Sequence, residues 1–404
     1  MSLLEATKTP VTILGRGTVV LGIVRSLGRL GIPAYVISSE PRAPAFFSRY
    51  CHRKVRPNIL DLSEKPLDTL LDIGRRIGKS VLVSTSDLGA VFVSEHASVL
   101  RQWFHFPDQN PTLARRLSSK KDMYYLAKKC GVPTAEAAFP RRRQDVLTFA
   151  KKVRLPIILK PILNWLPPWD KVIVRTEQEL LRGYDVMHNP AAPNMMLQEY
   201  IPDEDDVGWI FHGYFNKDSQ CLFGSTGKKI RQWPPYHGMT SLGECLPNAT
   251  LEKTAKRFMK AISYRGIVDI DCRHDIRDDR YKVLDVNPRI GGNFRIFVTD
   301  NGMDVARALY FDLTNVRFTK ATASPRRKWL AEDLDRKASI LYHQDGNLSL
   351  SQWVNSIRGV RELSIFTPDD PLPFLKVAAL MVNRHVNRRS DADVTRAVNL
   401  NPIA

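Results

Sequence analysis

Short apolar runs alternate with helical periodicity at the start of the chain. Residues 11–14 and 32–38 have the composition of strands, and residues 19–30 between them have the spacing of a helix. A second unit follows, with a helix over residues 67–77 and a strand over residues 80–83. Strands that are joined through helices pair in parallel with right-handed crossovers. The pattern therefore predicts a Rossmann-like parallel sheet at the N-terminal end.

The hydrophobic pattern changes after residue 107. Residues 111–130 have the periodicity of one helix, which a glycine and a proline follow as stop signals. Short β-rich runs come next, and residues 211–246 are typical of antiparallel strands around a turn. Helices over residues 251–264 and 303–313 are predicted on either side of a last pair of strands. This half of the chain therefore has an α+β pattern.

Asp285 and Asn287 lie two residues apart in a strand-forming stretch, Y-K-V-L-D-V-N-P-R. Side chains at that spacing point to the same face of a strand. Asp271 lies in an earlier strand, G-I-V-D-I-D-C, and joins that face if the two strands pair as a hairpin. Two carboxylates and an amide oxygen suit Mg²⁺, which keeps positions open for phosphate oxygens. The alternative interpretation is a polar hairpin edge with a loop arginine.

Several cations occur close to these oxygen donors in the sequence. Arg289 and Arg295 follow the strand directly, beside a Gly-Gly pair, and we expect them to bind a phosphate or a carboxylate. Arg231, in the run K-K-I-R, is a candidate contact for the terminal phosphate or for an acyl phosphate. The alternative for Arg295 is an ion pair with a nearby acid such as Asp300. The alternative for Arg231 is a solvated strand edge.

The spacing D-x13-D-x-N-P-R, behind a strand that begins with glycine, resembles the metal-binding end of the ATP-grasp superfamily. In that superfamily two acids and an asparagine hold the magnesium ions that bridge ATP. The resemblance gives these roles to Asp271, Asp285 and Asn287. Glutamate is the usual second acid there, so Asp285 keeps the charge and shortens the reach.

Three further elements resemble ATP-grasp elements, and they occur in the usual order. The helix that ends in G-V-P-T carries Lys120, and the strand P-I-I-L-K-P carries Lys160. The resemblance implies that both lysines bind ATP phosphates, whereas in isolation each is a lysine that reaches solvent. The segment L-Q-E-Y-I-P matches the hinge beside adenine, and a ribose contact is expected shortly after it. These implied nucleotide-binding residues are Gln198, Glu199, Tyr200, Ile201, and Asp205 or Asp206.

The resemblance implies an α/β protein with three parts. Residues 1–106 are expected to form a parallel-sheet pre-ATP-grasp domain, and residues 107–324 a two-subdomain α+β ATP-grasp fold. The small ATP-lid subdomain is expected at about residues 135–203, and residues 325–404 are a small C-terminal α/β appendage of unknown role. The chain departs from the family at residues 162–171, where a Ser/Gly-rich flap usually covers the phosphates. This stretch has two tryptophans and no glycine, and Asn164 or Lys171 are its candidate phosphate contacts.

The charge balance favours anionic partners. The chain has 60 Lys and Arg against 42 Asp and Glu, a net charge of +18. We expect no nucleic-acid partner because no nucleic-acid-binding motif accompanies the charge. No apolar run reaches the roughly 18 residues of a membrane span, and the first residues lack a secretory pattern. Five scattered cysteines are simplest to explain in the cytoplasm.

The closest resemblance is to the carboxylate–amine ligase branch that includes D-aspartate ligase. It implies an ATP-dependent enzyme that forms an amide or peptide bond through an acyl phosphate. The expected ligands are ATP and Mg²⁺, with Mn²⁺ as an alternative ion. The expected substrates are a small-molecule carboxylate and amine, anionic or nucleotide-linked among the options. A homodimer is one option for the oligomeric state.

Two other functional classes stay open. The first is a nucleotide-binding regulatory or scaffolding protein with little turnover. The second is a nucleotide-dependent oxidoreductase that uses the loop at residues 15–22 with Glu40. That loop is G-x-G-x-x-x-x-G and not the dinucleotide fingerprint, so a tight strand–helix turn is favoured. Asp87 lies at the carboxyl end of a strand, where ligands bind, but a helix cap is the favoured interpretation.

Overall fold

Three β-sheets organise the part of the chain that the computed structural model describes, which is residues 9–56, 66–163, 171–189, 194–202, 208–319 and 323–380. In chain order the strands are β1 (Val11–Leu14), β2 (Ala34–Ile37), β3 (Cys51–Val55), β4 (Ser80–Ser84), β5 (Phe104–His105), β6 (Ala137–Ala138), β7 (Ile157–Pro161), β8 (Val172–Val174), β9 (Met195–Glu199), β10 (Trp209–Phe215), β11 (Cys221–Trp233), β12 (Met239–Cys245), β13 (Gly266–Asp275), β14 (Arg280–Asn287), β15 (Lys328–Leu330) and β16 (Val360–Leu363).

The α-helices connect these strands and cover the sheets. In chain order they are α1 (Gly17–Gly28), α2 (Pro66–Ile77), α3 (Asp87–Glu95), α4 (Ala97–Leu100), α5 (Pro111–Ser118), α6 (Lys120–Lys129), α7 (Arg143–Val153), α8 (Glu177–Met187), α9 (Ala249–Ala261), α10 (Val305–Leu313), α11 (Glu332–Gln344) and α12 (Leu350–Ile357). Short 3₁₀ turns occur at Pro44–Phe47 and Phe294–Ile296.

The N-terminal sheet is parallel, which confirms the predicted α/β opening. Its strand order is β3-β2-β1-β4-β5, and β1 pairs in parallel with both β2 and β4. The glycine loop behind β1 is a tight turn, because a Cβ at Gly15 would lie 1.8 Å from Thr85 Oγ1. The carboxylate of Glu40 accepts a hydrogen bond from the backbone N–H of Gly17 at 3.2 Å. Glu40 therefore holds the loop itself.

The largest sheet has seven strands in the order β14-β13-β10-β11-β12-β15-β16. Its pairs are antiparallel except for β15 and β16, which pair in parallel. Those two strands come from the predicted C-terminal appendage, which therefore extends the central sheet. Asp370 continues the attachment, since it pairs with the buried Arg25 of α1 at 2.9 Å and accepts a hydrogen bond from Ser48 at 2.7 Å.

A small antiparallel sheet, β6-β9-β7-β8, lies within the region predicted as the lid. Helices α7 and α8 pack on it, and the shared core includes Phe149, Leu159, Leu180 and Leu197. Lys160 lies near the end of β7, beside strands whose other side chains are mostly buried. The sheet therefore carries Lys160 on a rigid, apolar support.

The predicted single helix over residues 111–130 is wrong, because the chain leaves the helical conformation at Ser119. This residue has extended dihedral angles and bridges to Leu163, and its hydroxyl caps α6 by accepting from the N–H of Asp122. The N–H of Lys120 donates to the carbonyl of Ile162 at 3.0 Å. The first N–H groups of a helix lack partners within it, so this bond stabilises the break. The break places Lys120 at the start of a new helix, beside the small sheet.

Candidate active site

Two strands of the large sheet bring the predicted oxygen donors together. Asp271 of β13 lies directly opposite Asp285 of β14, and Asp269 lies opposite Asn287. Because alternate residues of a strand point the same way, the four side chains share one face. Asp269 was not singled out in the sequence, although D-I-D in G-I-V-D-I-D-C was a signal for it. The hairpin geometry thus produces a row of three carboxylates and one amide.

Lysines from four separate elements face the pair Asp271 and Asp285. Lys160 Nζ lies 3.4 Å from both carboxylate oxygens of Asp285. Lys229 Nζ, from the middle of β11, lies 2.6 Å from Asp271 Oδ1. Electrostatic interactions with Asp285 also place two other lysines here. We call Lys120, Lys160, Lys171 and Lys229 the lysine cluster.

The sequence offered Lys171 as a candidate phosphate contact, and Lys229 lies in the run K-K-I-R that was a candidate for the terminal phosphate or an acyl phosphate. Lys171 immediately precedes β8, and its Nζ donates to the carbonyl oxygen of His237 at 3.0 Å. His237 lies in the turn between β11 and β12, so this bond joins the small sheet to the large one. Lys229 is buried, whereas its neighbour Lys228 lies over the ring of Trp209 at 5.1 Å. Strand alternation explains why only one of these neighbours faces the carboxylates.

Four lysines face two carboxylates here, and both burial and these charges shift the pKa values of the groups. Burial alone raises the pKa of Asp285, but Lys160, Lys120 and Lys171 outweigh burial and lower it to about 2. Burial lowers the pKa of Lys171 to about 8, against the attraction of Asp285. Burial also lowers the pKa of Lys120 and of Lys160. Asp285 is therefore ionised at neutral pH, and a bound anion would relieve the crowded ammonium groups.

Arg289 joins this face to the N-terminal domain. Its guanidinium lies 3.3 Å from Asp269 Oδ2 and 3.3 Å from Asp87 Oδ1. Burial raises the pKa of Asp269, but His212, Arg289 and Lys229 outweigh burial and lower it to about 2. The Nε2 of the fully buried His212 lies 2.8 Å from Asp269 Oδ1. The guanidinium of Arg289 is therefore held between Asp269 and Asp87, where it balances the charge of the carboxylate row.

The prediction that Asp87 caps a helix is wrong by one residue. Ser86 is the N-cap of α3, and its hydroxyl accepts from the N–H of Gly89 at 3.1 Å. Asp87 is the first helical residue, and its carboxylate lies 3.3 Å from the guanidinium of Arg289. Asp87, just after the carboxyl end of β4, thus pairs with the same arginine as Asp269 does.

Two of the predicted catalytic arginines are held elsewhere, which corrects both assignments. Arg295 is buried and pairs with Asp304 and, at 2.7 Å, with Glu362. Arg231 is buried against Asp335, with contacts of 2.8 and 3.1 Å between the two side chains. We call these two clusters the arginine braces. An ion pair is the alternative that the sequence offered for Arg295, although its partner is Asp304 and Asp300 instead accepts from Ser324.

The predicted adenine hinge lies at the end of β9. Gln198 and Glu199 are buried strand residues, and Ile201 is 2% exposed. The side chain of Glu199 accepts a hydrogen bond from the N–H of Glu136 at 2.8 Å and pairs with Arg277 at 2.9 Å. The ring of Tyr200 lies 5.3 Å from the guanidinium of Arg273. Asp205 and Asp206 lie outside the described residues, as does most of the predicted flap (residues 164–170).

The oxygen donors fit a magnesium ion that is shared with phosphate. Within the described residues no group of three His, Cys, Asp or Glu side chains is arranged to hold a metal ion. Asp271, Asp285 and Asn287 offer two carboxylates and one amide. Mg²⁺ is commonly bound by one or two carboxylates together with water and substrate phosphates. This donor set therefore suits a metal that arrives with a nucleotide.

Comparison with known proteins places this geometry in a known fold. No family model matches the chain. The biotin carboxylase domain of Hydrogenobacter thermophilus 2-oxoglutarate carboxylase, solved with MgADP, ADP and bicarbonate, superposes with a TM-score of 0.61 at 16% identity, over 79% of this chain and 73% of that one. The L-amino acid ligase of Bacillus licheniformis superposes with a TM-score of 0.60 at 15% identity, over 79% of this chain and 78% of that one. The chain has the ATP-grasp fold.

A sequence relative agrees with the ATP-grasp assignment. The D-aspartate ligase of Enterococcus faecium (strain Aus0004) is 25% identical over 333 residues, which are 77% of this chain and 78% of the relative. The ATP-grasp resemblance and the predicted fold class are thereby confirmed. The roles of single residues and the domain boundaries stay predictions. Among the residues that the structure describes, none of the helices is both long and apolar enough to cross a membrane.

Proposed function

We propose that this chain is an ATP-dependent ligase that joins a carboxylate to an amine through an acyl phosphate. The observation that carries the proposal is the lysine cluster over Asp271 and Asp285, on an ATP-grasp fold. Four lysines, three of them buried, against two carboxylates form an unbalanced cationic site, which a polyphosphate would neutralise. The likeness to D-aspartate ligase and to L-amino acid ligase supports the reaction class.

The chain's own residues divide into two roles. Lys120, Lys160 and Lys229 would bind the phosphates of ATP, and Asp271, Asp285 and Asn287 would hold Mg²⁺. The metal ion would add positive charge beside the phosphate oxygens, and Mn²⁺ is an alternative ion. Phosphoryl transfer spreads negative charge over the transferred group. Fixed cations in a site from which water is excluded stabilise that charge, because they need no reorganisation during the reaction.

In the first half-reaction an oxygen of the substrate carboxylate attacks the γ-phosphorus of ATP, which gives an acyl phosphate and ADP. In the second the amine attacks the acyl carbon, phosphate leaves, and the amine nitrogen loses a proton. No nucleophile of the protein is needed. Cys272 adjoins the carboxylates in sequence, but it is buried, and burial raises the pKa of its thiol far above neutrality. A buried neutral thiol is a poor nucleophile.

The two other classes fit the structure less well. The oxidoreductase hypothesis needs the N–H of Gly17 for a dinucleotide phosphate, yet Glu40 occupies it. A regulatory or scaffolding role would need ATP binding with little turnover, and activity measurements test that directly. A cytoplasmic location and a homodimer stay predictions. We propose small-molecule carboxylate and amine substrates.

A phosphate-release screen tests the ligase proposal. Wild-type protein with ATP and Mg²⁺ would be supplied with amino acids, pairs of amino acids and nucleotide-linked peptides. We expect release of phosphate that depends on both an acid and an amine, with an amide product of matching mass. Omission of Mg²⁺ should abolish release. Binding of ATP–Mg²⁺ without turnover on any acid–amine pair would contradict the ligase and favour the regulatory alternative.

A further inference from the structure

The flap stretch of this chain, residues 162–171, contains none of the glycines that the ATP-grasp superfamily usually has there. Lys171 is the last residue of that stretch, and it is among the residues that the structure describes. Within the described residues no carboxylate pairs with it, and its Nζ donates to the carbonyl oxygen of His237 at 3.0 Å. Lys160 and Lys229, by contrast, each have a carboxylate within ion-pair distance. Lys171 is therefore less closely paired with a carboxylate than Lys160 and Lys229 are.

The pairing of β7 with β8 determines the position of Lys171 along the small sheet. Val172 pairs with Leu159 in an antiparallel ladder, so Lys171 is level with Lys160. Glu199, in the predicted adenine hinge, pairs with Ile157. Lys160 lies three residue positions after Ile157, which is a distance of about 10 Å along the strand. Lys171 thus lies at the end of the sheet away from the hinge.

Lys171 also contacts the large sheet. His237 belongs to the turn that follows β11, and the charge of Lys171 interacts with Asp285, Lys160, Lys229 and Asp271. A nucleotide with its base at the hinge would extend its phosphates toward these residues. The phosphate most distant from the base would then lie between Lys171 and the two carboxylates.

We propose that Lys171 binds the terminal phosphate of the nucleotide, an inference that rests on the proposed ATP-dependent reaction. A side-chain ammonium thereby takes the place of backbone N–H groups of a glycine-rich flap. An ammonium group is a compact charge on a flexible stem, which suits a phosphate oxygen from several directions. The competing explanation is that Lys171 only fastens the small sheet to the turn at His237.

Nucleotide affinity separates the two explanations. The variants are Lys171→Met, which removes the charge, Lys171→Arg, which keeps it, and Lys151→Met as a control at an exposed lysine of α7. Calorimetry with Mg²⁺ would give the affinity of each variant for ATP and for ADP. We expect Lys171→Met to weaken ATP binding by about tenfold or more, since a charge-assisted hydrogen bond is lost. ADP binding should weaken by less than about threefold, because ADP lacks the terminal phosphate.

The conservative variant and the control complete the test. Lys171→Arg should keep ATP affinity within about threefold of the wild type, and Lys151→Met should not change it. An equal loss of ATP and ADP affinity in Lys171→Met, or no loss of either, would overturn the inference while leaving the ATP-dependent reaction in place. Wild-type protein that binds neither nucleotide would overturn both. Thermal unfolding of each nucleotide-free variant would show that the small sheet remains folded.

Discussion

The lysine cluster and the arginine braces are both buried sets of cations and carboxylates, but they differ in charge balance. Each arginine of the braces meets one or two carboxylates at close range, and Arg231 makes two contacts to Asp335. The lysine cluster sets four cations against Asp271 and Asp285, and Lys160 remains 3.4 Å from its partner. A balanced, closely paired cluster has no charge left for a ligand. An unbalanced one is unstable until an anion arrives.

Proton affinities separate the two regions in the same way. Burial lowers the pKa of Arg295, but Glu362 and Asp304 outweigh burial and raise it. The pKa of Lys160 is lowered by burial despite Asp285. A basic group whose folded pKa is raised stabilises the folded state when charged, and a basic group whose folded pKa is lowered does the reverse. The paired Arg295 thus contributes to stability, as Lys229 does through Asp271, whereas the buried charge of Lys160 lowers stability.

Removing one lysine should give the largest effect on activity and little loss of stability. We expect Lys160→Met to lower kcat by about 10³-fold, or about 4 kcal/mol of transition-state stabilisation. Its unfolding temperature without nucleotide should stay the same or rise, because one repelling charge has been removed. Steady-state kinetics and thermal unfolding measure the two quantities. Near-normal turnover would remove Lys160 from the site, and a large fall in stability would make it a structural residue.

Breaking a brace should have the opposite signature. Arg231→Met leaves the buried carboxylate of Asp335 without its partner, which destabilises a protein by about 3–5 kcal/mol. We expect kcat per folded molecule to stay close to that of the wild type. Denaturant unfolding gives the free energy of unfolding, and Arg76→Met, in an exposed pair with Asp72, is the matched control with a change below about 1 kcal/mol. A fall in kcat of folded Arg231→Met would restore this residue to the active site.

Local spacing in the sequence was enough to predict that three oxygen donors share one face of a hairpin. Asp271, Asp285 and Asn287 lie on two strands joined by a short connection, so strand alternation alone determines their common face. Lys120 and Lys160 were predicted by resemblance, and the structure brings both to Asp285. The parallel sheet followed from the alternation of strands and helices.

The sequence-based predictions for Arg231, Arg295 and the helix at residues 111–130 differ from the structure because each depends on a residue far away in the sequence. The partner of Arg231 is 104 residues away and that of Arg295 in β16 is 67 residues away, so no local pattern predicts either pair. Arg295 was assigned to the site because it is close in sequence to the metal strand, but the turn after Gly292 carries it to α10 and β16. The break at Ser119 also depends on a distant residue, Leu163, and helix periodicity continues through it.

A third buried cluster, around Asp275, also tests whether balanced charges stabilise the fold, and we expect its effect to be the smallest of the three. The buried Asp275 accepts hydrogen bonds from Arg277 Nε at 2.7 Å and from Lys282 Nζ at 2.5 Å, and Arg277 also pairs with Glu199 of the hinge. Burial raises the pKa of Asp275, but these hydrogen bonds outweigh burial and leave it well below the ordinary value of 3.8. The cluster is balanced, so it should behave as a brace.

The pH dependence of stability therefore has a definite sign. A carboxyl group whose folded pKa is depressed contributes stability that is complete above its unfolded pKa and is lost as the pH falls through the folded pKa. We expect Asp275→Asn to be less stable than the wild type at about pH 7. The difference should narrow below about pH 4, because there the carboxyl group of the unfolded wild type gains a proton that the folded state still excludes. Urea unfolding at several pH values measures that difference. A gap that stayed constant down to the lowest pH would mean that Asp275 stabilises the hinge through packing or neutral hydrogen bonds and not through its charge.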